Sequence, residues 1–181
     1  RQVAAATAMF ALADCFDSLG APVLCAVAMH GRYDSDPDTM EYKGDVEYHR
    51  SHSIQYRLFK DWGESLRQTW KRFGSYTATG GTPLCDGIQY GLRALSERPE
   101  RFRIMVVLTD GEPVNGAVVK RQIRLAREAG ITVIGVGIGD GCDPVATLFP
   151  TSVVVENLEV LPKSMIKAIT EVVFPKKARR M

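Results

Sequence analysis

The sequence predicts an α/β domain with a doubly wound, mostly parallel sheet and helices on both faces. Three observations lead there. Runs rich in Val and Ile alternate with longer segments of helical period. The runs at 102–109 (FRIMVVLT) and 131–138 (ITVIGVGI) are strongly apolar on both faces, not at every second position. A strand apolar on both sides is buried on both sides, the situation of parallel strands covered by helices. The connections are also short, as right-handed crossovers in such a sheet require.

The elements follow in order. Residues 2–18 have the pattern of an amphipathic-to-buried helix, ended by Gly20 and Pro22. Residues 23–30 (VLCAVAMH) form a short apolar run expected to be a buried strand. Residues 31–52 are polar, contain Gly31, Pro37 and Gly44, and show no period, so they are expected to be a loop insertion. Residues 53–59 (SIQYRLF) alternate in polarity as a half-exposed edge strand does. A helix is expected over 64–73 with Leu66, Trp70 and Phe73 on one face. The loop YTATGGTP (76–83) leads into a helix over 83–97, with Pro83 in the first turn and Ile88, Leu92 and Leu95 as its buried stripe. After the strand at 102–109 come a helix over 117–129 closed by Gly130, the strand at 131–138, a proline-containing loop, a short strand at 152–156, and a last helix over 161–173.

Length and composition narrow the function classes. A chain of 181 residues makes one compact domain; we read it as a single unit over 1–175 with a basic tail at 176–181. A net charge of +2 gives no reason to expect nucleic acid or an anionic membrane as partner. No run of about 18 apolar residues exists, so no membrane span is expected. Cys15, Cys25, Cys85 and Cys142 are far apart and form no CxxC pair, which argues against a zinc ribbon and for buried thiols in a reducing, cytoplasmic setting. The chain opens at Arg1 inside a helical pattern with no lead-in strand, and we expect a segment upstream of it.

Doubly wound sheets bind ligands at the carboxyl ends of their strands. That directs attention to Asp110, which follows the most apolar strand, and to Thr82 in the loop Thr79-Gly80-Gly81-Thr82-Pro83. A carboxylate at a buried strand end seeks a cation or backbone donors. A carboxylate, a hydroxyl and water are hard oxygen ligands that Mg²⁺ accepts. The bland alternatives are a structural Asp110 and a Thr82 that caps the helix beginning at Pro83.

The segments TGGTPLCDGIQYGL (79–92) and VVLTDGEP (106–113), with IGVGIGD (134–140) after them, resemble the second and third elements of the metal-ion-dependent adhesion site (MIDAS) of von Willebrand factor type A (VWA) domains and the strand that follows it. The resemblance implies a Rossmann-like VWA fold and a site for Mg²⁺ (or Mn²⁺ or Ca²⁺) in which Thr82 and Asp110 bind the metal and a protein partner offers an Asp or Glu. That makes the domain an interaction module with no catalytic residues of its own. The family's first element, Asp-x-Ser-x-Ser at the end of a first central strand, is absent from this sequence, so that strand and its ligands are expected to be missing. The stretch IQYRLFKDWGES (54–65) and the GGTP loop are similar to bacterial cobaltochelatase-accessory and nitric-oxide-reductase-activation proteins, which implies a chelatase or MoxR-type AAA+ ATPase as partner.

The competing reading is a Rossmann-like enzyme that uses the same cleft for a nucleotide or phosphorylated substrate. Against it, the glycines at 135, 137 and 139 lie within a strand and not in a turn that opens a helix, where a phosphate would sit. Asp34, Asp36 and Asp38 lack the Gly and Glu of a calcium loop. His30, His49 and His52 have no evident fourth ligand for zinc.

Overall fold

A computed structural model of the chain describes residues 2–30, 54–74, 82–109, 116–138, 143–155 and 158–173. Six helices and five strands lie among them. These are α1 (Gln2–Ser18), β1 (Cys25–His30), β2 (Ile54–Lys60), α2 (Leu66–Phe73), α3 (Leu84–Ser96), β3 (Arg103–Thr109), α4 (Gly116–Glu128), β4 (Ile131–Ile138), α5 (Asp143–Leu148), β5 (Ser152–Val155) and α6 (Leu161–Val173). A 3₁₀ turn, Leu158–Val160, leads into α6.

The strands form two ladders. β3, β4 and β5 make a parallel sheet in that order, with Arg103 opposite Ile131 and Gly135 opposite Ser152. β1 and β2 form a separate antiparallel pair with Cys25 opposite Lys60 and a bulge between Cys25 and Ala26. The period of two sorts β3 between two cores, as double burial demands. Ile104, Val106 and Leu108 face the layer of α1 and α6 with Ile134, Val136 and Met165. Met105 and Val107 face the layer of α3, α4 and α5 with Ile88, Val119 and Phe149. Helices therefore cover both faces. A third cluster joins Ala13 of α1, Cys25, Phe59, Leu66 and Phe73.

Helix limits have local causes. Gly20 and Gly130 adopt φ of +73° and +71°, the left-handed conformation that closes α1 and α4. Ser65 precedes α2, and its N–H donates to Gln68 Oε1 at 3.0 Å, half of a capping box.

Three expectations are corrected. On α2 the buried residue between Leu66 and Phe73 is Thr69, and Trp70 is 55% exposed with the Lys71 ammonium 5.7 Å from its ring. Positions 69 and 70 flank the line from 66 to 73, and the smaller side chain, Thr69, is the one that turns inward, its hydroxyl donating to the Ser65 and Leu66 carbonyls. Residues 143–148, expected to be loop, form α5, with Pro144 in the first turn where it costs no hydrogen bond. Helix α3 begins at Leu84, one residue later than expected. The insertion at 31–52 and the tail at 176–181 lie outside the described residues.

Candidate functional site

The carboxyl end of β3 is Thr109, 7% exposed and paired with Gly137 of β4. Asp110 is the next residue in the chain and lies, with residues 111–115, outside the described residues. Thr82 is described. It is half-buried, and it lines the same cavity as Thr109 and Ile138.

The backbone at Thr82 has a specific cause. Pro83 takes φ −78° and ψ 61°, and Leu84 N–H donates to Thr82 O at 2.8 Å. This is an inverse γ-turn, to which the proline ring presets φ. The helical ladder then starts with Gly87 N–H donating to Pro83 O at 3.0 Å. The cap position therefore belongs to Pro83, whose side chain accepts nothing, and the alternative in which Thr82 caps α3 is not what the structure shows.

Asp86, within the segment 79–92, is not singled out by the sequence pattern. It stands in the first turn of α3, where a carboxylate complements the helix dipole, and is only 2% exposed. Tyr56 of β2 donates its hydroxyl to the Asp86 carbonyl at 3.3 Å and stacks on Tyr90 with ring centres 4.7 Å apart. Next to it, burial first and the Asp86 charge second push the Cys85 thiol up to about 11. The signal for Asp86 was its place in the first turn of a predicted helix, but its burial depends on tertiary packing.

As metal donors, the Thr82 and Thr109 hydroxyls are hard oxygens of the kind Mg²⁺ takes. Among the described residues no group of three or more His, Cys, Asp or Glu could hold a metal ion. The hydroxyl chemistry fits a hard cation, and the described part of the cleft supplies only part of a coordination shell. Asp34, Asp36, Asp38, His49 and His52 lie outside the described residues. The strand glycine at 135 is explained by packing: a Cβ there would overlap the Phe149 ring and stand 2.9 Å from its Cβ.

With this geometry in view, the von Willebrand factor type A domain family matches residues 46–161, nearly two-thirds of the chain, including both candidate loops. The chain belongs to the von Willebrand factor type A domain family. VWA domains commonly act as metal-dependent protein-interaction modules. The match covers the loop before α3, where Thr82 precedes the helix, and the junction after β3, where Asp110 follows Thr109. Among curated proteins, none matches the chain. Among the described residues of this VWA domain, no helix is long and apolar enough to cross a membrane.

Proposed function

We propose that this VWA domain binds a protein partner through a divalent cation held at the carboxyl end of β3, with Thr82 and Asp110 as protein ligands. The observation that supports the reading is that Thr82, ahead of α3, and Thr109, at the end of β3, line one cavity. Asp110 follows Thr109 directly, at the strand end where doubly wound sheets place ligands. Mg²⁺ in such a site accepts oxygen ligands and leaves a position for a partner's Asp or Glu. Two protein oxygens hold Mg²⁺ weakly, because the ion gives up its water reluctantly. The partner's carboxylate then contributes to the metal affinity as well as receiving the contact, and chemistry resides in the partner and not in this domain.

The resemblance of residues 54–65 and of the GGTP loop to cobaltochelatase-accessory and nitric-oxide-reductase-activation proteins supports an AAA+ ATPase of the chelatase or MoxR type as that partner. The test is titration of the chain with Mn²⁺, followed calorimetrically, for wild type, Thr82→Ala and Asp110→Ala, with circular dichroism confirming an unchanged fold. Asp110→Ala should abolish binding and Thr82→Ala weaken it. Equal binding by all three would refute the assignment. Capture of an AAA+ ATPase should be lost in EDTA and with Asp110→Ala.

A further inference from the structure

Helix α2 has the sequence LRQTWKRF, with cations at Arg67, Lys71 and Arg72 and no carboxylate. Its inward line, Leu66, Thr69 and Phe73, is buried, and Leu66 and Phe73 join the core cluster around Phe59. Arg67 and Lys71 are exposed and stand one helical turn apart. Residues three and four apart are neighbours on a helix surface. Trp70 therefore stands beside both, 55% exposed, with the Lys71 ammonium 5.7 Å from its ring.

The carboxylates near α2 are engaged elsewhere. Glu64 takes the Arg72 guanidinium on both oxygens, with Nη1 2.7 Å from Oε2 and Nη2 2.8 Å from Oε1. Asp17 pairs with Lys60, and Asp61 accepts the Trp62 N–H at 2.8 Å. Among the described residues no carboxylate pairs with Arg67 or Lys71. The outer face of α2 thus presents two unmatched cations next to an exposed indole.

We propose that the outer face of α2 docks an acidic segment of a partner protein, in which two carboxylates meet Arg67 and Lys71 and a large apolar side chain covers Trp70. Charge complementarity selects this occupant. Side chains one turn apart on a helix are about 5–6 Å apart at Cβ. That spacing matches carboxylates on alternate residues of an extended chain, or one turn apart on a helix. The Arg67 fork can take a carboxylate on two N–H groups, and Lys71 adds a point charge. Trp and Arg are also the side chains that dominate interface energies once water is excluded from them. A nucleic acid suits the face poorly, because its proteins neutralise roughly 6–10 phosphates and this face offers two unmatched cations in a chain of net charge +2. A membrane suits it poorly too. A helix lying in lipid buries its apolar face there, and the apolar face of α2 is turned into the core. The surface does not depend on the strand-end cation.

Fluorescence anisotropy with the 181-residue chain tests it. EDTA is present throughout, so the result is independent of the metal reading. The probe is a fluorescein-labelled peptide of repeated Glu-Ser-Glu-Leu units, and the control carries Lys in place of Glu. The acidic probe should bind and the basic control should not. Arg67→Glu/Lys71→Glu should weaken the acidic probe by about tenfold or more and gain affinity for the basic one. Trp70→Ala should weaken it by about fivefold or more. Should either variant lose its circular dichroism, Arg67→Gln/Lys71→Gln decides, with a weakening of about fivefold expected. No binding of the acidic probe at millimolar concentration, or equal binding by all variants, would overturn the proposal. So would binding of a DNA oligonucleotide or of phosphatidylserine vesicles in place of the peptide. A dimer in sedimentation that the charge reversal dissolves would mark a second copy as the occupant and overturn it as well.

Discussion

The Lys60 ammonium, 1% exposed, lies 3.4 Å from the Asp17 carboxylate and donates to Val23 O at 3.1 Å. One buried cation thus ties the last residue of β2 to the end of α1 and to the segment entering β1. A buried charge persists only when paired and hydrogen-bonded.

Removing Asp17 should therefore harm the fold more than removing the charge at Lys60. Loss of one partner from a buried pair costs roughly 3–5 kcal/mol; with the Asp17 side chain 34% exposed, solvent reduces this to about 1–2 kcal/mol. Lys60→Met keeps the stem and leaves no orphaned ammonium, so it should cost less than Asp17→Ala. Urea midpoints at pH 7 with unchanged m values check the order. The opposite order would mean that the ammonium's carbonyl bonds, not its ion pair, hold this corner.

A second prediction concerns the strand glycine on β4. Gly135→Ala would drive a methyl into the Phe149 ring, and overpacking of this kind costs about 1–3 kcal/mol. Phe149→Leu alone should destabilise by removing buried surface, yet in the double variant it should recover part of the Gly135→Ala loss. A double-mutant cycle measures that coupling. Strict additivity would show that the clash relaxes elsewhere.

The thiols give a third. Burial pushes Cys25 up to about 12 and Cys85 up to about 11 from an ordinary value near 9. A thiol raised on folding binds its proton more tightly in the native state, so its stabilisation is complete below pH 9 and is lost as pH rises toward 11–12. Stability should fall across that window. At pH 8 in the native state, half-buried Cys15 should react with a disulfide reagent well before Cys25 or Cys85. Peptide mass mapping reads the order, and early modification of Cys25 would contradict its burial.

Legibility in the sequence followed the range of the forces involved. β4 and α6 have the limits read from the sequence, because an unbroken apolar run and a Pro-initiated helical period are local signals. α5 was missed because six residues carry too little period to separate a helix from a loop. Trp70 was misplaced because a helical stripe fixes a line but not which flanking residue turns inward, a choice made by tertiary packing. At the site, Thr82 was legible as a loop hydroxyl ahead of a helix, while the γ-turn that denies it the cap depends on the ψ of Pro83, which sequence leaves free.

The last prediction separates the interaction module from an enzyme that binds nucleotides. A helix start grips phosphate through its first free N–H groups. At α3, Pro83 has no N–H and Leu84 N–H is already donated to Thr82 O at 2.8 Å, so two of those donors are gone. The carboxylate of Asp86 in the same turn adds a charge that repels phosphate. ATP and ADP at millimolar concentration, without divalent metal, should therefore leave the melting temperature unchanged. The chain's formal +2 charge is too small to produce a general stabilisation by polyanions that would obscure the result. A rise of several degrees that saturates with nucleotide would indicate a Kd well below the added concentration and would favour the enzyme reading. Replacing Pro83 by Ala restores an N–H at the cap and keeps the Thr82 and Asp110 side chains, so a nucleotide response gained only in that variant would show that the proline keeps phosphate out.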